Sequence, residues 1–200
     1  MSLSKSQQMV RIALFTTLTA TGAYVVLPLP FTPVPFTLQL FFTLLSGLML
    51  GPKNGALSQI VYLALGIVGV PVFAGGNAGV GALVGPTGGY LVGFVLAAGV
   101  VGYLDMRLAS WGDSAIRRGV IIGTVGLGII HGFGAWWLAR ATRISLAKAF
   151  ALGCAPYIIP DSIKCVAALM AAAALKRMVP GYAGQVKYAE PRGTSAPRQR

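Results

Sequence analysis

AKAFALGCAPYIIPDSIKCVAALMAAAAL, residues 147–175, is apolar over most of its length yet carries an aspartate and a lysine near its centre. A helix crosses the hydrocarbon of a bilayer with about 20 apolar residues, and this stretch is long enough to do so. Pro156 and Pro160 predict a kink or break in its first part, because a proline has no N–H to return to the preceding turn. Asp161 and Lys164 stand three residues apart and so share a helical face. Ionisable groups inside a membrane span are costly and mark a pathway or a binding site. The pair therefore has two readings: a structural ion pair that neutralises itself, or a pair facing a ligand that both donates and accepts hydrogen bonds.

The rest of the chain is of the same kind. Of 200 residues, 56% are hydrophobic and 10% charged, and the mean hydropathy is +0.75, too apolar for the surface of a soluble domain. The chain is read as an all-α integral membrane protein. Sixteen Lys plus Arg face four Asp plus Glu, but the basic residues are scattered through short connections, which excludes a nucleic-acid face and suits anionic lipid headgroups. Cys154 and Cys165 lack the spacing of a zinc site and are read as small core residues without a disulfide.

Six spans are predicted, at residues 11–27, 37–50, 55–69, 90–104, 119–138 and 147–175. The run from residue 12 to 29 is taken as a span and not as a cleaved signal peptide, since it lacks a small-residue cleavage pattern. The second and third spans are short and separated by Gly51 and Pro52, so they must tilt or be shielded by neighbouring helices. This gives a polar segment at 1–10, a six-helix substrate-binding domain at 11–179, and a basic tail at 180–200 that is expected to be disordered.

Two uncharged segments cannot be regular helix. Residues 28–37 hold Pro28, Pro30, Pro33 and Pro35 and are expected to be an extended loop; residues 71–89, PVFAGGNAGVGALVGPTGG, hold seven glycines. Lipid does not tolerate bare backbone groups, so both must pack on protein or line a cavity, as capping or re-entrant loops. With both termini in the cytoplasm, twelve basic residues (Lys5, Arg11, Lys53, Arg107, Arg117, Arg118, Lys176, Arg177, Lys187, Arg192, Arg198 and Arg200) lie inside. Only Arg140, Arg143 and Lys148 then lie outside, an orientation that puts both loops on the outer side of the cell membrane. Asn77, in the glycine-rich segment, adds an amide that donates and accepts.

Signals of an engine are missing. No nucleotide-binding loop, nucleophile elbow or metal-ligand cluster is present in the sequence, and no cofactor is implied. The single histidine, His131, has no acid within a helical turn and is read as packed or hydrogen-bonded between helices. An intramembrane enzyme using His131 and Asp161 is the rival from another class. In the first span, Ala13 and Thr17 form one row of small residues, with Thr16 and Ala20 on the next, a spacing that admits close approach of another helix.

Four ordered motifs, PVPFTLQ (33–39), YLALGIVGVPVFAGG (62–76), GPTGGYLVGF (85–94) and PDSIK (160–164), make residues 12–175 similar to the biotin-specific S components of energy-coupling factor (ECF) transporters, the BioY family. That resemblance implies a six-helix bundle capturing biotin in an outer cavity capped by the first-to-second and third-to-fourth loops. It implies polar contacts from Asp161, Lys164 and Asn77, and a surround of Phe36, Gln39, Phe73 and Tyr90 about the thiophane ring and tail. It also implies that Ala13 and Thr17 dock on a membrane-embedded T component coupled to two ATPases. The family usually has a pair of alanines there, and some members work without such a module. An S component for another vitamin, thiamine or riboflavin, is the alternative within the class. The acid-plus-base pair suits a neutral ureido head better than a cation.

Overall fold

The computed structural model describes residues 4–110 and 114–178, and the tail at 180–200 lies outside the described residues. Helix α1 (Lys5–Tyr24) starts earlier than the predicted residue 11 because Ser4 caps it. The Ser4 hydroxyl accepts from the Gln7 amide at 3.2 Å, and the Gln7 side chain accepts from the Ser4 amide at 3.0 Å.

After α1, the proline-rich segment is an extended connection with one feature the sequence did not announce. Val26–Leu27 (β1) pairs antiparallel with Phe36–Thr37 (β2), closing the segment into a small hairpin over the end of α1. Helix α2 (Gln39–Ile67) is two arms folded back at Gly51, whose φ of 76° lies in the left-handed region, with Pro52 opening the second arm. The arms are antiparallel: Thr43 and Ser46 of the first both bond to Gln59 of the second. Short as they are, they are shielded by α1, α4 and α7, which satisfies the sequence expectation through neighbours.

That shielding is partly polar. Gln59, fully buried, donates to Thr19 of α1 at 3.2 Å and to Ser46 at 3.2 Å, and accepts from Thr43 at 3.3 Å. Thr16 of α1 donates to the Ser58 carbonyl at 2.9 Å. Between membrane helices such bonds specify register where lipid offers no hydrophobic driving force.

The glycine-rich segment is not wholly irregular, as the sequence led one to expect. It holds a 3₁₀ turn (Ala74–Gly76) and a short helix, α3 (Val80–Val84), bracketed by Gly79 and Gly85. Helix α4 (Gly88–Ser110) and helix α5 (Ala115–Thr142) follow, each overrunning its predicted span. The sixth span is broken as its prolines predict: α6 (Leu146–Gly153), a 3₁₀ turn (Ala155–Tyr157) and α7 (Ile158–Met178). Pro160 falls in the first turn of α7, where a missing N–H costs nothing.

Three stretches, Gly88–Ala109, Ala115–Thr142 and Leu146–Met178, are long and apolar enough to cross a membrane; α1 and the arms of α2 complete six membrane helices. On α7 the two faces separate cleanly. Ile159, Ile163, Val166 and Met170 are exposed, as for a lipid-facing stripe, while Asp161, Lys164, Cys165, Ala168 and Ala172 are buried. At the end of the bundle away from the two loops, Asp105 of α4 receives Lys176 of α7 at 2.6 Å and Arg118 of α5 at 3.5 Å, clipping three helices together.

Candidate functional site

The proline-rich and glycine-rich segments and the broken sixth span meet at one end of the bundle around a cavity of about 650 Å³. That volume is in the range of small-molecule sites. Its walls are Pro33–Thr37 with β2, Phe73–Asn77 and Gly85–Thr87 of the glycine-rich segment, Tyr90, Leu91 and Phe94 of α4, Ile130 and His131 of α5, and Tyr157, Asp161 and Lys164 of the sixth span. Every residue named from the sequence as a ligand contact (Asp161, Lys164, Asn77, Gln39, Phe36, Phe73 and Tyr90) lines it. The cavity wall is mainly apolar, with ionisable groups gathered at one point.

That point is Asp161. Its Oδ1 lies 2.6 Å from Lys164 Nζ, and its Oδ2 lies 3.0 Å from His131 Nε2. Lys164 in turn donates to the Thr37 carbonyl at 2.6 Å and stands 3.6 Å from the centroid of the Phe36 ring. The ammonium thus anchors β2 to α7, with the ring covering a further side as a cation–π contact. Asp161 and Lys164 are respectively 5% and 7% exposed, so neither charge is solvated from outside and each depends on these partners.

The remaining predicted contacts are each bonded or packed to the scaffold. Gln39 accepts from Thr37 Oγ1 at 2.9 Å and donates to the Tyr62 hydroxyl at 2.6 Å, which itself donates to the Val72 carbonyl at 3.0 Å. This chain of bonds ties both loops to α2. Phe73 stands edge-on to Tyr62 with centroids 5.6 Å apart, over Gly66, where an added Cβ would come within 2.0 Å of the ring. Tyr90 donates to the Gly153 carbonyl at 2.7 Å, and Asn77 donates to the Ala74 carbonyl at 2.8 Å within its own loop. Ala13 and Thr17 are not in the cavity; they lie exposed on α1.

One residue was missed, and another was named only for a rival role. His131, paired with Asp161 from the sequence only in the enzyme reading, has no acid within its own turn, but α7 supplies Asp161 from thirty positions downstream. Tyr157, in the 3₁₀ turn, donates to the Val34 carbonyl and so ties the proline-rich loop to the break in the sixth span. A tyrosine beside a helix-breaking proline was the only cue.

A family model described as the BioY family matches residues 1–181. The chain belongs to the BioY family. Its similarity to individual relatives covers most of this chain and nearly all of theirs. It is 40% identical over 172 residues to a probable biotin transporter BioY of Pyrococcus horikoshii, covering 86% of this chain and 98% of that one. It is 41% identical over 172 residues to the biotin transporter BioY of Thermotoga maritima, covering 86% and 97%. Among solved structures it is similar to the crystal structure of the S component for biotin from an ECF-type ABC transporter. The TM-score is 0.84 at 26% identity, covering 93% of this chain and 100% of that one. The BioY architecture thus extends through the helices that build the cavity.

Proposed function

We propose that this chain is the biotin-binding membrane subunit of a biotin uptake system, a transporter subunit and not an enzyme. The observation that carries the reading is the buried Asp161–Lys164 pair in the apolar cavity, in a chain whose full-length relatives are named biotin transporters. Biotin offers a ureido head with two N–H donors and one oxygen, an apolar thiophane ring and a valerate carboxylate. In this reading Asp161 accepts from the ureido N–H groups, and Phe36, Phe73 and Tyr90, with Gln39 and Asn77 at the edges, surround the ring and tail. Lys164 directs two of its three N–H donors at Asp161 and the Thr37 carbonyl, which leaves one for a ligand oxygen while it stays anchored to β2.

The chain sits in the cell membrane with both termini in the cytoplasm and the cavity open to the outside, the orientation favoured by its twelve inner against three outer basic residues. The energy comes from elsewhere. Coupling to an ECF module, a T component with its ATPases, uses the exposed Ala13 and Thr17 face of α1. Thr17 suits that face although it is not an alanine: its hydroxyl donates to the Ala13 carbonyl at 3.0 Å, so the outward surface is small and already satisfied. Thr17→Trp is expected to abolish co-purification with a T component while changing biotin affinity by less than about twofold, since Thr17 is remote from the cavity. Unchanged co-purification would remove this face from the docking model.

Growth of a biotin-requiring host on trace biotin tests the function. Growth that depends on this chain, with or without co-expressed T and ATPase subunits, is the expected result. Failure in both settings, despite membrane insertion, would overturn the uptake reading.

A further inference from the structure

We propose that His131 is a positioning residue of the binding site, holding the Asp161 carboxylate from α5 so that its free acceptor directions point at the head of the ligand. The proposal rests on the reading of the cavity as a biotin site. It begins with a geometric need: the terminal torsion of an aspartate is broad, and a single partner on Oδ1 leaves Oδ2 free to swing. Here the two oxygens lie within ion-pairing distance of groups on different helices, Oδ1 of Lys164 Nζ on α7 at 2.6 Å and Oδ2 of His131 Nε2 on α5 at 3.0 Å. Asp161 Oδ1 and both ring nitrogens of His131 are buried and complete no hydrogen bond among the described residues. A carboxylate has about four acceptor directions, so two remain for a pair of adjacent N–H donors such as those of a cyclic urea.

His131 is itself held. Its ring meets Tyr90 edge-on, with centroids 6.3 Å apart and planes at 86°, and its carbonyl accepts from Cys154 Sγ at 3.4 Å. Tyr90 is fixed in turn by its bond to the Gly153 carbonyl at 2.7 Å. The imidazole therefore packs into a wall built from α4, α5 and the end of α6. A contact with the valerate carboxylate is the competing role, and it makes a different prediction: it acts on the tail and not on the head.

The chain contains a single histidine, so a nitrogen-15 histidine label gives an assigned spectrum, provided the affinity tag is not polyhistidine. In the unmodified protein the Nε2 site is expected to carry a proton, and Asp161→Asn is expected to shift that signal. An Nδ1-protonated ring that is indifferent to Asp161→Asn would overturn the proposal, whether or not biotin is the ligand. In binding, His131→Ala is expected to weaken biotin and its uncharged amide by the same factor, about tenfold or more, as for loss of a hydrogen bond to a charged group. His131→Gln, which keeps an N–H donor, should recover most of that loss. A loss confined to biotin, with the amide unaffected, would assign His131 to the tail instead, and no loss for either would remove it from the site. Failure of the unmodified chain to bind biotin would sink the ligand reading alone, because the nitrogen spectrum still decides the His131–Asp161 contact.

Discussion

Asp161→Asn is expected to weaken biotin binding by at least about 100-fold, equivalent to roughly 2.7 kcal/mol, because the head of the ligand loses a charged acceptor for its N–H groups. The substitution keeps the shape of the side chain and removes its charge. It also removes the counter-charge of Lys164, which is 7% exposed and would keep only neutral partners, the amide oxygen of the new side chain, the Thr37 carbonyl and the Phe36 ring. Breaking a buried pair from one side costs about 3–5 kcal/mol, so a lower melting temperature in detergent is expected alongside the binding loss. Two effects that coincide in this way need separating. Replacing both partners by apolar side chains, Asp161→Leu with Lys164→Met, removes the uncompensated charge and is expected to restore much of the stability without restoring binding. Wild-type affinity in that double variant would mean that the pair is purely structural.

The second large effect lies away from the ligand. Gly47→Ala is expected to leave little folded protein, because a Cβ there would stand 2.4 Å from the Ala98 carbonyl oxygen and 3.1 Å from its Cα on α4. Those are backbone atoms and have no rotamer by which to retreat. The same contact is tight on its other sides: a Cβ at Gly102 would come within 2.6 Å of Gly51, and one at Gly55 within 2.8 Å of the Gly47 Cα. Ala97, Ala98 and Val101, all fully buried, complete the face. Inserting a methyl group into so close a crossing costs at or above the roughly 3 kcal/mol upper end of ordinary overpacking. Gly99→Ala, whose nearest neighbour would be 3.6 Å away, is the matched control and should be tolerated. Size-exclusion profiles in detergent distinguish the two, and a normal profile for Gly47→Ala would contradict the described packing of α2 on α4.

Much of this arrangement was legible in one dimension because the bilayer imposes it. Run lengths located the spans, Gly51 and Pro52 marked the fold-back of α2, and Pro156 and Pro160 marked the break before α7. Asp161 and Lys164 stood out because charge in an apolar run is expensive, and helical spacing put them on one face. The Ser4 to Gln7 capping box was also readable and would have moved the start of α1 back to Lys5.

What escaped depends on contacts between distant segments. The pairing of β1 with β2 involves two residues on each strand, too few to leave an alternation pattern. His131 meets Asp161 only through the packing of α5 on α7, and Gln39 meets Tyr62 only because the two arms of α2 fold back on each other at Gly51. Gln39, Phe73 and Tyr90 were nominated as ligand neighbours by resemblance, and all three line the cavity. The structure adds that each is braced by the scaffold.

The most direct test of the account is titration calorimetry of the purified chain with biotin, thiamine and riboflavin in parallel, repeated with Asp161→Asn. The account predicts saturable binding of biotin alone, at one site per chain, with the heat lost in the variant. Saturable binding of thiamine or riboflavin with none of biotin, or biotin binding that ignores Asp161→Asn, would contradict it.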